Sequence, residues 1–182
     1  MKKVLLAATL LFSLGAVKAQ VKYGVKAGLN LASMKESYGG VNVTTDSRAN
    51  LIAGAFLNYA LSENFSIQPE LLYSGMGGSY SGEKLKLAYI ALPILAQYHF
   101  AEKFYVEAGP QFGLLMSAKA DGTDVKDSFK SLDIQLVPGV GYNITENIGV
   151  NARYGFSLGN IADGSDGTAK NRAFSFMVAY TF

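Results

Sequence analysis

Ala173-Phe174-Ser175-Phe176-Met177-Val178-Ala179-Tyr180-Thr181-Phe182 is the stretch that decides the fold. Phe174, Phe176, Val178, Tyr180 and Phe182 share one parity; Ala173, Ser175, Met177, Ala179 and Thr181 share the other. Alternate residues of an extended chain face opposite sides. One face of this strand is therefore an aromatic and aliphatic wall, and the other is small or mildly polar. Such a wall suits a strand whose outer solvent is lipid, and Val21 to Met34 is expected to pair with it as the other closing stave.

The same period recurs along the chain. Val21, Tyr23, Val25, Ala27, Leu29 and Leu31 oppose Lys22, Gly24, Lys26, Gly28 and Asn30. Further alternating segments run over Ala49 to Leu61, Phe65 to Met76, Leu85 to Phe100, Phe104 to Met116, Ser131 to Ile144 and Ile148 to Leu158. Ile52 and Phe56 fall on the polar parity of their segment and break its rule. With the last strand this gives eight, an even number, as single-chain bacterial barrels have. The fold class read from the pattern is all-β: an eight-stranded antiparallel up-and-down transmembrane β-barrel.

Connections alternate in length. Leu61 to Phe65, Phe100 to Phe104 and Ile144 to Ile148 each place three turn residues with a central Glu between apolar residues. Asn64 and Asn147 are expected in the left-handed position of a three-residue hairpin loop. Glu36 to Arg48, Gly77 to Lys84, Lys119 to Lys130 and Ala162 to Lys170 read as longer loops. Short turns on one rim and long loops on the other match the periplasmic and extracellular ends of outer-membrane barrels. Pro69, Pro93, Pro110 and Pro138 all lie inside the strands so drawn. Proline donates nothing to a ladder, so either bulges or missing bonds are expected in strands three to six, or some of these strands are shorter than so drawn.

Met1 to Ala19 carries Lys2 and Lys3, the apolar run Val4 to Val17, and Val17-Lys18-Ala19. That is the layout of a secretory signal peptide, with cleavage expected before Gln20 and the barrel domain over 20–182. Removing three of the sixteen basic residues leaves thirteen against fourteen acidic, a net charge of −1. The net charge then favours neither nucleic acid nor an anionic membrane as a partner. With no cysteine, stability rests on packing and hydrogen bonds rather than disulfides.

Several blocks resemble one family. Gly24-Val25-Lys26-Ala27-Gly28-Leu29-Asn30, Gln68-Pro69-Glu70-Leu71-Leu72-Tyr73, Tyr89-Ile90-Ala91-Leu92-Pro93-Ile94, Glu107-Ala108-Gly109-Pro110 and Arg153-Tyr154-Gly155 look like the small eight-stranded outer-membrane β-barrels of Bacteroidetes-type bacteria, the porin family. The resemblance spans the chain after the signal and includes the prolines. It departs at Ala91, where the family often has Glu or Gln. It implies the fold and the outer membrane, not a transport activity. Tyr180 and Phe182 resemble the C-terminal signal read by the outer-membrane assembly machinery, the expected partner besides outer-membrane lipid.

A soluble ligand-binding barrel, with the apolar parity inside, is the rival architecture. Its interior would have to hold most of the strand Phe and Tyr residues, and eight strands enclose little more than their own side chains. Catalytic sets are sparse. His99 is the only histidine, which leaves triads and multi-histidine metal sites without material. Asp121-Gly122-Thr123-Asp124 and Asp163-Gly164-Ser165-Asp166-Gly167 read as turns, not as calcium loops. No catalytic residue, metal or cofactor is assigned. The most informative constellation is a lumen charge set of Lys22, Lys26 and Arg153 facing Glu70, Glu107 and Asp133. Either it pairs internally and plugs the barrel, or it lines an ion path. The functional readings are thus a non-enzymatic anchor with interacting surface loops, and a small-solute or ion channel.

A closed ladder in lipid predicts heat modifiability. The unheated protein in detergent should run faster on a gel than the boiled one, and recovery as a detergent-free soluble monomer would overturn the barrel.

Overall fold

The computed structural model describes residues 21–80, 82–164 and 167–182; the expected signal peptide and Ser165-Asp166 lie outside them. The strands are β1 (Val21–Tyr38), β2 (Val41–Thr44), β3 (Asp46–Ala60), β4 (Phe65–Tyr80), β5 (Glu83–His99), β6 (Phe104–Ala108), β7 (Pro110–Ala120), β8 (Thr123–Asp124), β9 (Leu132–Leu136), β10 (Gly139–Asn143), β11 (Ile148–Ser157) and β12 (Gly167–Thr181). β6 and β7 form one stave broken at Gly109, and β9 and β10 another broken at Val137-Pro138. β2 and β8 extend hairpins beyond the wall. Eight staves remain, antiparallel throughout.

The pairings run in a cycle. β1 pairs β3, β3 pairs β4, β4 pairs β5, and β5 pairs both β6 and β7. Those pair β10 and β9, which pair β11, which pairs β12. β12 returns to β1, from Gly24 opposite Thr181 to Tyr38 opposite Gly167. A closed cycle leaves no strand edge, the condition a sheet must meet to stand in hydrocarbon.

The apolar parity is the exposed one. Phe174, Phe176, Val178 and Tyr180 are 46–57% exposed, while Ala173, Ser175 and Met177 are 2–8%. Leu29, Leu57, Leu71, Ile94, Val106, Leu114, Ile134 and Val140 repeat this around the wall. A continuous apolar surface of this extent is stable against lipid, not water. Ile52 and Phe56, the two exceptions, point inward and are buried. Phe56 lies across the wall from Gly24, and Tyr105 from Gly141. A Cβ on either glycine would collide with the facing ring, so these glycines give the inner aromatics their space.

The staves are longer than the alternation indicates at the loop rim. The segments read as loops hold the end of β1, all of β2, the tips of β4 and β5, and the first turns of β12. Above the lipid the outer face meets water, so the outward apolar row that marks a strand is lost while the ladder continues. Tight turns remain within those segments at Gly39-Gly40, with φ of 54° and 86°, and at Asp121-Gly122, with 45° and 93°, as two-residue hairpin turns demand.

The short turns correct another expectation. Neither Asn64 nor Asn147 has positive φ. Ser62 Oγ accepts the Phe65 N–H at 3.1 Å, and Thr145 Oγ1 accepts the Ile148 N–H at 2.9 Å. This hydroxyl bond holds each turn without a left-handed residue. The asparagines instead tie to the next stave: Asn64 O accepts from His99 N at 2.8 Å, and Asn147 Nδ2 donates to Thr181 O at 2.8 Å.

The prolines interrupt pairing without shifting it. Pro69 faces Ile94, and the β4–β5 ladder resumes at Leu72 opposite Ala91 in the same register. Pro93 faces Gln111 and pairing resumes at Ala96 opposite Ala108. Pro110 opens β7, and Pro138 lies between β9 and β10. The missing bonds are those expected; the bulges lie elsewhere, between Ser47 and Ile52 and between Ala88 and Tyr89.

The register sets a test on β3. Arginine at outward Ala55, near mid-depth, should cost about 2–4 kcal/mol, and close to zero at Tyr59 near the short-turn rim. Reversible urea unfolding from lipid measures both, and equal costs at inward and outward positions would contradict the register.

Candidate functional site in the barrel lumen

Lys26 on β1, Glu70 on β4, Glu107 on β6 and Arg153 on β11 meet inside the barrel. They come from alternate staves, so no two are wall neighbours. Each is inward because it shares the polar parity of its strand, and each is 2–4% exposed. Lys26 Nζ donates to Glu70 Oε1 at 2.6 Å and sits 4.9 Å from the centre of the Phe56 ring. Arg153 bridges both acids. Its Nη1 and Nη2 donate to Glu70 Oε2 and Oε1 at 2.8 Å each. Its Nε donates to Glu107 Oε1 at 2.6 Å and Nη2 to Oε2 at 3.1 Å. A guanidinium suits this because its rigid fork meets two carboxylates at once.

Amides complete the set. Gln68 Nε2 donates to Glu70 Oε1 at 2.6 Å, and Gln97 Nε2 to Glu107 Oε2 at 2.9 Å. Asn58 and Ser66 join Gln97 nearer the short turns. Two cations thus balance two anions in a hydrogen-bonded group, the state a buried charge requires. Ala91, where the family resemblance leads one to expect Glu or Gln, instead packs with Ile52, Leu72 and Met177 beside this polar layer.

Two members of the expected set stand apart. Lys22 is exposed at the short-turn rim, two inward positions nearer that rim than Lys26 and out of reach of the cluster. Asp133 is buried but meets no cation: Gln135 Nε2 and Asn171 Nδ2 donate to its Oδ2 at 2.6 and 3.0 Å. Its Oδ1 has no hydrogen-bond partner among the described residues. Asn171 also donates to Tyr89 OH at 3.2 Å. Asn30, Ser74 and Ser175 form a further chain of hydrogen bonds on the β1 side.

Above these groups the lumen is apolar. Met34, Met76, Leu87, Leu115, Ile161 and Ala173 form a buried cluster toward the loop rim. The inward positions of Met34, Met76, Leu87 and Leu115 on β1, β4, β5 and β7 continue the polar parity of those strands, and a parity rule built on polarity overlooks them. A void of about 10 Å3 lies between the apolar and charged layers, against Ser74, Gln111, Gln135 and Arg153. That is at the lower bound for one water molecule.

An antiparallel cycle of strands, apolar outside and filled with paired polar groups inside, defines a transmembrane β-barrel. The sequence matches the outer membrane protein beta-barrel domain over residues 16–163, and the chain belongs to that family. The match is to the family at large. Neisserial surface protein A superposes with a TM-score of 0.55 at 17% identity, covering 89% of this chain and 97% of that one. Ail, the attachment invasion locus protein of Yersinia pestis, solved in complex with the heparin analogue sucrose octasulfate, gives 0.51 at 14% identity, covering 89% and 99%. At these identities the likeness is one of fold. No curated protein sequence matches the chain. The protein resides in the outer membrane.

The cluster predicts coupled energetics. Arg153→Met leaves two buried carboxylates facing one lysine and should cost about 3–5 kcal/mol. Glu70→Gln combined with Arg153→Met should cost less than the sum of the single changes, as contacting groups do. Urea unfolding from lipid of the two single variants and the double supplies the cycle; strict additivity would mean that the two residues do not interact.

Proposed function

We propose that the protein is a closed, non-enzymatic barrel that anchors its loop-rim segments at the cell surface for a structural or interaction role. One observation carries this reading. The side chains of Lys26, Glu70, Glu107 and Arg153 are 0–2% exposed although they cross the middle of the lumen. A water-filled passage would wet them. Arg153 alone spans from the β4 wall to the β6 wall, so a solute would have to break four charge-assisted bonds to pass. The short turns then face the periplasm, and the hairpin around Gly39-Gly40 together with Lys119 to Lys130 faces outward, the usual arrangement of such barrels.

The same reading gives Tyr180 and Phe182 to the assembly machinery. Both rings point outward, and Phe182 stacks on Tyr23 with centroids 5.4 Å apart. They stay available on the wall where β12 meets β1.

Planar-bilayer recording tests the closed lumen. The wild-type protein should show no large steady conductance, and the Glu70→Gln/Arg153→Met double variant should leak. A large, steady wild-type conductance would overturn the plug and make the small-solute or ion channel the leading function.

A further inference from the structure

The outer wall holds two lysines in an arrangement that is unfavourable as it stands. Lys86 on β5 lies directly opposite Lys119 on β7, and directly opposed residues share a face. Both are exposed. The face is the lipid-facing one, since Lys86 continues the row of Ile94, Leu92, Ile90 and Ala88 toward the loop rim. Like charges set opposite each other destabilise a sheet.

The neighbours give only partial relief. On the other side of Lys86 stands Gly77, with no side chain. Beyond Lys119 stands Asp124, whose Oδ1 accepts the Lys126 N–H at 2.9 Å and whose charge offsets part of that of Lys119 without forming an ion pair. Neither lysine forms an ion pair among the described residues. A second opposed pair, Lys35 and Lys170 on β1 and β12, differs in this respect: both are half-buried, and Lys170 Nζ donates to Leu158 O at 3.3 Å.

The wall beside Lys86 is also dented. The β3–β4 ladder is interrupted between Ser47 and Ile52, and the β5–β7 ladder shifts between Ala88 and Tyr89. Between these irregularities lies a groove of about 330 Å3, lined by Leu51, Tyr73, Gly75, Lys86, Ser117 and Lys119 among others. Its upper end is cationic and hydroxylic. Its lower end, Leu51 and Tyr73, merges with the apolar belt.

Depth fixes what can fill it. From Phe100, just past the end of β5, to Ile90 the chain climbs ten residues, which at about 3.4 Å each and a tilt near 40° spans the roughly 25 Å apolar band. Lys86 stands four residues higher, within reach of the headgroup layer. Lysine binds phosphate as a compact point charge. A free anion would leave Leu51 and Tyr73 uncovered, whereas a lipid covers both ends of the groove.

We propose that Lys86 and Lys119, with Ser117 beside them, form a binding site for the phosphate of an outer-leaflet lipid headgroup, with acyl chain lying down the wall over Tyr73 and Leu51. The site rests on the loop rim facing outward, and not on whether the lumen conducts.

The barrel extracted from outer membranes in neutral detergent is titrated with bisphosphorylated lipid A, and bound lipid is read by native mass spectrometry. One lipid A should be retained, with affinity weakened about tenfold or more in Lys86→Gln/Lys119→Gln. Lys103→Gln/Lys126→Gln removes the same charge elsewhere and should bind as wild type. Equal loss in both doubles would reduce the effect to net charge and overturn the site. Displacement of the lipid by excess inorganic phosphate would assign the groove to a free anion and overturn the lipid assignment. The heat shift on gels verifies folding of each variant. In dodecyl maltoside micelles, which carry no phosphate, Lys86→Gln should raise the urea midpoint by relieving the repulsion. A lowered midpoint there would mean that the lysine has a partner within the protein, and would overturn the proposal.

Discussion

Hydrocarbon offers no hydrogen bonds, so a sheet standing in it must satisfy its own backbone. The cycle of pairings from β1 round to β12 meets that demand, and other features are arranged about it. Alternation follows, because a wall one residue thick has lipid on one side and the lumen on the other. The glycines facing Phe56 and Tyr105 follow too, since a narrow closed interior admits an inner ring only where the facing residue is small. The prolines are the tolerated exceptions. They fall on four adjacent staves, and the register is the same on both sides of the breaks at Pro69 and Pro93. Each break deprives the wall of bonds locally while leaving the barrel geometry unchanged.

The architecture was legible because lipid enforces polarity position by position. Leu29, Ile94 and Phe176 have no alternative to facing out, and two-residue periodicity exposes them in the sequence. Legibility faded where that pressure ends. At the loop rim β1, β4, β5 and β12 run on through residues whose outer face meets water, and polar alternation there carries no signal. Inside the upper lumen Met34, Leu87 and Leu115 are as apolar as the outer wall, so polarity stops distinguishing the faces. At the short turns the hydroxyls of Ser62 and Thr145 set the conformation, which the general preference of asparagine for left-handed positions did not reveal.

The charge cluster shows the same boundary. Parity places six charged side chains on the inner face, and distance from the short turns brings Lys26, Glu70, Glu107 and Arg153 to similar heights. Parity cannot give the stagger between staves. That stagger puts Asp133 with Gln135 and Asn171 instead of a cation, while Lys22, four residues before Lys26 on the same strand, stays at the rim. Nor could sequence show that one arginine would serve both acids, because that depends on the lumen being narrow enough for a single guanidinium to reach two walls.

The origin of the four cluster residues on alternate staves bears on the order of events in folding. Hairpin contacts join wall neighbours and can form as soon as a turn is made. Lys26, Glu70, Glu107 and Arg153 are 44 to 83 residues apart along the pairs they make, and an open sheet holds them on one face with a stave between each. They meet only when the sheet has curled shut. The cluster is therefore a latch set at the end of assembly, and its contacts are absent from a transition state that precedes closure. Interactions of that kind govern how long a folded molecule lasts more than how quickly it forms. Loosening the latch should thus hasten unfolding and leave the refolding rate nearly untouched, a division that separate kinetic measurements in lipid resolve.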